Sequence, residues 1–247
     1  MHLQTVISAL LLGAALLPGN AASLHDRAER ETLSYLDGHR EAWYETWRSF
    51  DVDPCIAEAV VYPEMRRYDK MKDVLENAAV TGTYIRSGSA GFDFSIGRFQ
   101  MKPSFIEDLE KAWMRSGLAR PYEYWFDTAD DANARRVRLS RLQKEEWQVI
   151  YLGVFLRLLY ASYGSVNKKG EHTQDGLETL PAEEQVRLAA TAYNHGCVWA
   201  APGYGDPERI RAHMDEKKFH YAVVPTSWTR KYCYSRLALK HYRSITR

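Results

Sequence analysis

Three stretches carry the side chains whose types and order could do acid–base chemistry. In "VVYPEMRRY" (60–68) Glu64 follows an apolar run and Pro63. A carboxylic acid donates a proton near neutral pH only if its charged form is disfavoured, as burial against apolar and aromatic groups does. Val60, Val61 and Tyr62 before Glu64 and Tyr68 after it offer such a pocket, although a glutamate at a helix end also suits solvent. In "SIGRFQMKPS" (95–104) Gly97 allows close backbone approach. Gln100, between Phe99 and Met101, is either a buried amide satisfied by backbone or a ligand contact with two donors and an acceptor. In "AATAYNHG" (189–196) Tyr193 projects a hydroxyl from a run of small residues, and Asn194 before Gly196 also reads as a helix end.

The elements that must position these groups are mostly helical. Trp43 and Trp47, four apart in a charged stretch over 26–49, share one helix face. "DPCIAEAVVY" opens with Asp53 as an N-cap and Pro54 at the first helical position. Pro63 is expected to end that helix near Tyr62, leaving Glu64 at the mouth of a break, with helix again over 65–80. The four glycines of "GTYIRSGSAGFDFSIGR" (82–98) predict a loop or short hairpin. Helices follow over 103–116 and over 145–163, where Trp147, Ile150, Tyr151, Val154, Phe155 and Leu158 mark an apolar face. Another starts near Pro181, with Glu183 and Glu184 in its first turn, and runs to about Asn194. A short helix follows Asp206 and Pro207, and Thr226 is expected to start the last one, through Trp228, Tyr232, Leu239 and Tyr242.

The 247 residues suit one mainly α domain over 23–247, with a small non-helical or hairpin element near 82–100. A formal net charge of +1 gives no reason to expect nucleic acid as a partner. "VISALLLGAALL" (6–17), then Pro18 and "GNAAS", read as a signal peptide over 1–22 with cleavage near Ala21 or Ala22. The run is shorter than the ~20 residues of a membrane-spanning helix. Export to the periplasm or cell exterior is the expectation, with no membrane span left afterwards. Cys55, Cys197 and Cys233 make an odd number, so at least one thiol is unpaired or pairs elsewhere; Cys197 with Cys233 could bridge. The cysteines lack metal-ligand spacing and the eight histidines form no HxxxH pair, so neither a metal nor a cofactor is expected.

The three stretches, in this order, resemble the soluble lytic transglycosylase family of the lysozyme-like superfamily. That family shows a glutamate at a helix end, then G-[AS]-x-G-L-x-Q-x-x-P-[ST], then A-Y-N-x-G. Here Glu64 is followed by Ser95, Gly97, Gln100, Pro103 and Ser104 in register, and by "AYNHG" at 192–196. The similarity spans about 53–245. Met65 replaces the usual Ser, Phe94 the first Gly and Arg98 the usual Leu, and the gap after Glu64 is long. The resemblance implies a lysozyme-like helical domain that cleaves the β-1,4 bond between N-acetylmuramic acid and N-acetylglucosamine in peptidoglycan strands, forming a 1,6-anhydro ring. Glu64 would be acid and then base, and Tyr193 would orient it or the sugar. Gln100 and Asn194 would bind N-acetyl or backbone groups, and Ser95 would support the Glu64 pocket or touch the glycan. Two-carboxylate glycosidases set their acids ~5 Å or ~6.5–9.5 Å apart; the family's motifs offer no matched second carboxylate here, and Asp69 and Asp93 are the nearest candidates for one. A goose-type lysozyme-like hydrolase and a non-catalytic peptidoglycan-binding or assembly protein are the other readings.

Overall fold

Asp53 starts the helix that carries Glu64. In the computed structural model, which describes residues 21–68, 81–90, 93–163, 176–195, 207–219 and 231–247, the Asp53 carboxylate accepts the Cys55 N–H at 2.8 Å, and Pro54 takes the first helical position. The helices are α1 (Ala21–Arg48), α2 (Pro54–Met65), α3 (Pro103–Ser116), α4 (Ala119–Tyr122), α5 (Ala132–Leu142), α6 (Glu145–Ser162), α7 (Ala182–His195), α8 (Pro207–His213) and α9 (Tyr234–Ile245). Residues 81–87 are also helical. Strands β1 (Lys217–Phe219) and β2 (Lys231–Cys233) pair antiparallel, Lys218 opposite Tyr232. The fold is mainly α.

The core forms around α2 and α6, which are apolar on more than one face. Ile56, Val60 and Val61 of α2 are buried, each contributing roughly 1.5–3 kcal/mol by leaving water. In α6, Val149 through Phe155 are buried apart from Ile150, and Gly153 lets the Phe50 ring lie where a side chain would be. α9 packs on α2 and α7, while α1, α3 and α5 surround α6. Trp43 and Trp47 are both buried, as their spacing predicts.

Three expectations need correction. Helix α2 does not break at Tyr62 but runs through Pro63 to Met65. Proline removes one bond, to the Ala59 carbonyl, yet the next turn closes, Arg66 N–H donating to Tyr62 at 2.9 Å, and the burial of Tyr62 and Met65 offsets the loss. The 82–100 segment is no hairpin over most of its length. Residues 81–87 are helix, Gly88–Ala90 a 3-10 turn, and the extended pairing shrinks to one bridge, Ile96 with Met101. The last helix starts at Tyr234, because Tyr232 belongs to a strand too short for periodicity to reveal. The apolar face expected on α6 packs on the core, with Trp147 and Ile150 half-buried at its margin. The signal run 1–20, Asp69, Cys197, Asp206, Thr226 and Trp228, with most of 65–80, lie outside the described residues. Cys55 and Cys233 form no disulfide. No helix among the described residues is long and apolar enough to cross a membrane.

Candidate functional site

Glu64 lies in the last turn of α2, where the helix ends against α7 and α9 and the chain 95–105. One turn and a half upstream, Glu58 fixes α2 in place. It is fully buried and accepts from Arg40 Nε (2.8 Å) and Nη2 (2.9 Å), from Tyr44 (2.7 Å), and meets His241 Nε2 at 2.8 Å. Burial by itself would raise the Glu58 pKa, but the hydrogen bonds from Arg40, His241 and Tyr44 hold it down at about 2. From the other side, Tyr234 donates to the Val60 carbonyl at 2.9 Å. The helix end is thus pinned by α1 and α9 before it reaches the cleft.

The second stretch is a tight turn. Ile96 and Met101 exchange N–H···O bonds of 2.8 and 3.2 Å, and Gly97 and Gln100 both adopt positive φ, 70° and 53°. Gly97 has a double reason to be glycine. Its φ disfavours side chains, and a Cβ there would overlap the Gln148 amide. Gln148, buried on α6, accepts from the Phe99 N–H at 3.0 Å and donates to the Leu142 carbonyl at 2.7 Å. Left-handed backbone costs a non-glycine residue such as Gln100 roughly 1–2 kcal/mol. Its side-chain amide donates back to the Gly97 carbonyl at 2.7 Å, which helps hold that conformation. Phe99 fixes the turn to α1, its ring edge-on to Trp43 at 5.2 Å.

The third stretch closes the cleft. Tyr193 on α7 donates its hydroxyl to the Phe99 carbonyl at 2.6 Å, and its ring meets Phe155 and Phe105 edge-on at 5.4 and 5.9 Å. Burial pushes the Tyr193 pKa well above the ordinary tyrosine value, and the nearby Glu64 charge raises it further. Tyr193 is therefore a neutral donor already committed to backbone: it positions the turn that carries Gln100.

Glu64, Ser95, Gln100, Tyr193 and Asn194 line one cavity of about 220 Å³, together with Met101, Lys102, Phe105 and His195. All five residues singled out in the sequence are brought together. Sequence reasoning missed Arg67. Its Nη2 lies 3.0 Å from Glu64 Oε1, the two side chains only 18% and 19% exposed. Arg67 is itself held by the Pro63 carbonyl at 2.8 Å, by the Tyr232 hydroxyl, and by the Tyr232 ring 4.1 Å below its guanidinium. Carbonyl dipoles at a helix C-terminus disfavour an anion, by ~0.3–1 kcal/mol, whereas a half-buried guanidinium in contact favours it. In the free protein these oppose each other at Glu64. The signal for Arg67 was its three-residue spacing from Glu64 on a helical path. Gln148, 51 positions beyond Gly97, left none.

Asp93 is engaged at the head of α3. Its carboxylate caps the start of α3, accepting from the Ser104 N–H at 3.0 Å and the Ser104 hydroxyl at 2.6 Å, with Lys102 Nζ at 3.8 Å. His195 links the cavity to a further group: it lies with His213 and Glu216 in a cluster whose nitrogen and oxygen atoms are all within 4.8 Å of one another. The chain has no significant match among protein-family models, curated proteins or solved structures.

Proposed function

We propose that the protein is an exported peptidoglycan lytic transglycosylase with Glu64 as its single acid and base. The observation that carries this reading is the convergence of Glu64, Ser95, Gln100, Tyr193 and Asn194, from three separate stretches, on one cavity. In the proposed reaction the Glu64 carboxyl gives its proton to the oxygen bridging the two sugars, and the C1–O bond breaks. The carboxylate then takes the proton of the muramyl C6 hydroxyl, whose oxygen bonds to C1, and the carboxyl is restored. No water is consumed and one protein carboxylate suffices. Asp93, engaged by Ser104 at the head of α3, fits a capping role better than that of a second acid. The Arg67 contact sets one requirement. A bound glycan must exclude enough water from the cleft to raise the cost of charge on Glu64 and offset the guanidinium.

That ion pair also favours a second reading, a glycan-binding protein without turnover, in which the paired Glu64 only accepts hydrogen bonds from sugar hydroxyls. One experiment separates the readings. Purified sacculi are digested with the protein and the soluble fragments weighed by mass spectrometry. Transglycosylation gives muropeptides with 1,6-anhydro ends, one water lighter than the reducing ends of a hydrolase. Binding to sacculi with no fragment released is the outcome of the second reading.

A further inference from the structure

The histidine that follows Asn194 on the cavity wall belongs to a second constellation. His195 ends α7, His213 ends α8, and Glu216 closes the turn into β1. Glu216 Oε2 lies 3.3 Å from His195 Nε2, and Glu216 Oε1 lies 2.7 Å from His213 Nδ1. The two imidazoles stack at 4.4 Å with 27° between planes. Ligands at the usual zinc distances of about 2.0–2.1 Å on a tetrahedron are ~3.3 Å apart, which is the spacing of His195 from Glu216.

The turn that supplies two of these groups is held on both sides. Between His213 and Glu216, the Met214 carbonyl accepts from the Ser235 hydroxyl and, at 3.6 Å, the Cys233 thiol. Asp215 is gripped by Arg187 of α7 and Arg236 of α9, each at 3.3 Å. Arg187 sits two turns before His195 on the same helix, so the element that offers one ligand also braces the turn that offers the others. Supporting contacts of this kind fix ligand orientation and raise metal affinity. His213 and Glu216 are 43% and 46% exposed on their side chains, which leaves coordination positions open to solvent.

We propose that His195, His213 and Glu216 bind a divalent first-row transition cation of the zinc type on the wall of the cleft. Two imidazoles and one carboxylate suit zinc better than calcium or magnesium, which take oxygen ligands. Spacing along the chain hides the site, because 18 positions separate His195 from His213 and only the fold joins them. The bound cation ties the end of α7, next to Asn194, to the end of α8. The proposal needs no glycan chemistry and stands apart from the reading of Glu64.

The test is metal binding by the tag-free full chain after chelator treatment, at neutral pH. Zn²⁺ is titrated against a chromophoric chelator, and Co²⁺ is followed by its visible absorption. The expected result is one saturable equivalent, intense Co²⁺ bands of a low-coordinate site, and at least about tenfold weaker binding in both His213→Ala and Glu216→Gln. His39→Gln, which removes a histidine paired with Glu145, leaves the affinity unchanged. Glu216 is exposed, so its variant folds even if His213→Ala does not, and circular dichroism checks both. No saturable equivalent, or binding equal in wild type and Glu216→Gln, overturns the proposal whatever the sacculus digest gives.

Discussion

Helix α2 carries two glutamates six residues apart that the fold treats in opposite ways. Glu58 is fully buried, and its two oxygens are surrounded by one guanidinium, one phenol and one imidazole. Glu64 keeps 19% of its side chain exposed, has Arg67 beside it, and opens on the cavity. Glu58 is a charge locked in place, and its partners come from α1 and α9. Glu64 stands where water and a ligand can reach it, between a helix end that disfavours its charge and a guanidinium that favours it. What a carboxyl can do depends on how many of its lone pairs are spoken for.

The largest effect is expected where the comparison is sharpest. Glu64→Gln keeps shape and hydrogen bonding but cannot carry the proton, so under the proposed reaction release of anhydro-muropeptides falls about 10³-fold. Thermal unfolding changes little, since the amide keeps the shape of the side chain and the ion pair with Arg67 is only half-buried. Glu58→Gln reverses the pattern. It leaves Arg40 and His241 facing a neutral amide in a buried site, and the variant loses about 3–5 kcal/mol in denaturant unfolding. The wild-type pH dependence follows from the same group. The folded-state pKa of Glu58 is lowered to about 2 from an ordinary 4.5. Its stabilisation is therefore fully present above pH 4.5 and lost as pH falls toward 2. Acid titration of the melting temperature should lose that component in Glu58→Gln. If the two variants exchange phenotypes, the assignment of roles along α2 is wrong.

A middle tier of effects concerns the turn opposite Glu64. Gly97→Ala forces a Cβ into the Gln148 amide at a φ of +70°, and costs about 1–3 kcal/mol through displacement of a buried, doubly bonded side chain. Gln100 moves with the turn, so activity on sacculi falls more than stability does. Tyr193→Phe removes only the bond to the Phe99 carbonyl. About 1–1.5 kcal/mol of stability goes with it. The rate drops without a shift in its pH profile, because the tyrosine positions the turn and transfers no proton. A displaced pH profile would instead place its hydroxyl in the chemistry.

How much of this the sequence carried depends on the reach of each interaction. Asp53 with Pro54, Pro103 at the head of α3, and Glu183 with Glu184 at the head of α7 are signals written within one turn of the element they start. The cavity residues were legible through motif resemblance; their meeting was a matter of fold. Gln148, Glu58 and His241 were not, for buried polar groups find partners across the chain and leave no period: Glu58 and His241 are 183 positions apart. Helix α5 escaped because its four arginines blur any apolar period, and one of them, Arg138, is buried against Glu110 where an apolar residue would mark the inner face. Only its cap, Asp131 accepting from Asn133 and Ala134, is a local signal. Pro63 was misleading for a related reason. Local rules weigh one lost backbone bond, whereas the last turn of α2 is kept by the burial of Tyr62 and Met65.

The smallest predicted effect tests the last carboxylate near the cleft. Asp93→Asn keeps one acceptor for the Ser104 N–H but turns an amide donor toward the Ser104 hydroxyl, which now bonds the carboxylate at 2.6 Å. As a helix-capping change it should cost about 0.5–1 kcal/mol of stability. Under the single-acid reading, the sacculus digest of this variant gives the same anhydro products at nearly the wild-type rate. If Asp93 were instead the base that activates water, release would stop while the fold held, because an amide cannot take that proton. A rate that tracks the small stability loss keeps Asp93 at the head of α3, and leaves Glu64 to carry both proton transfers.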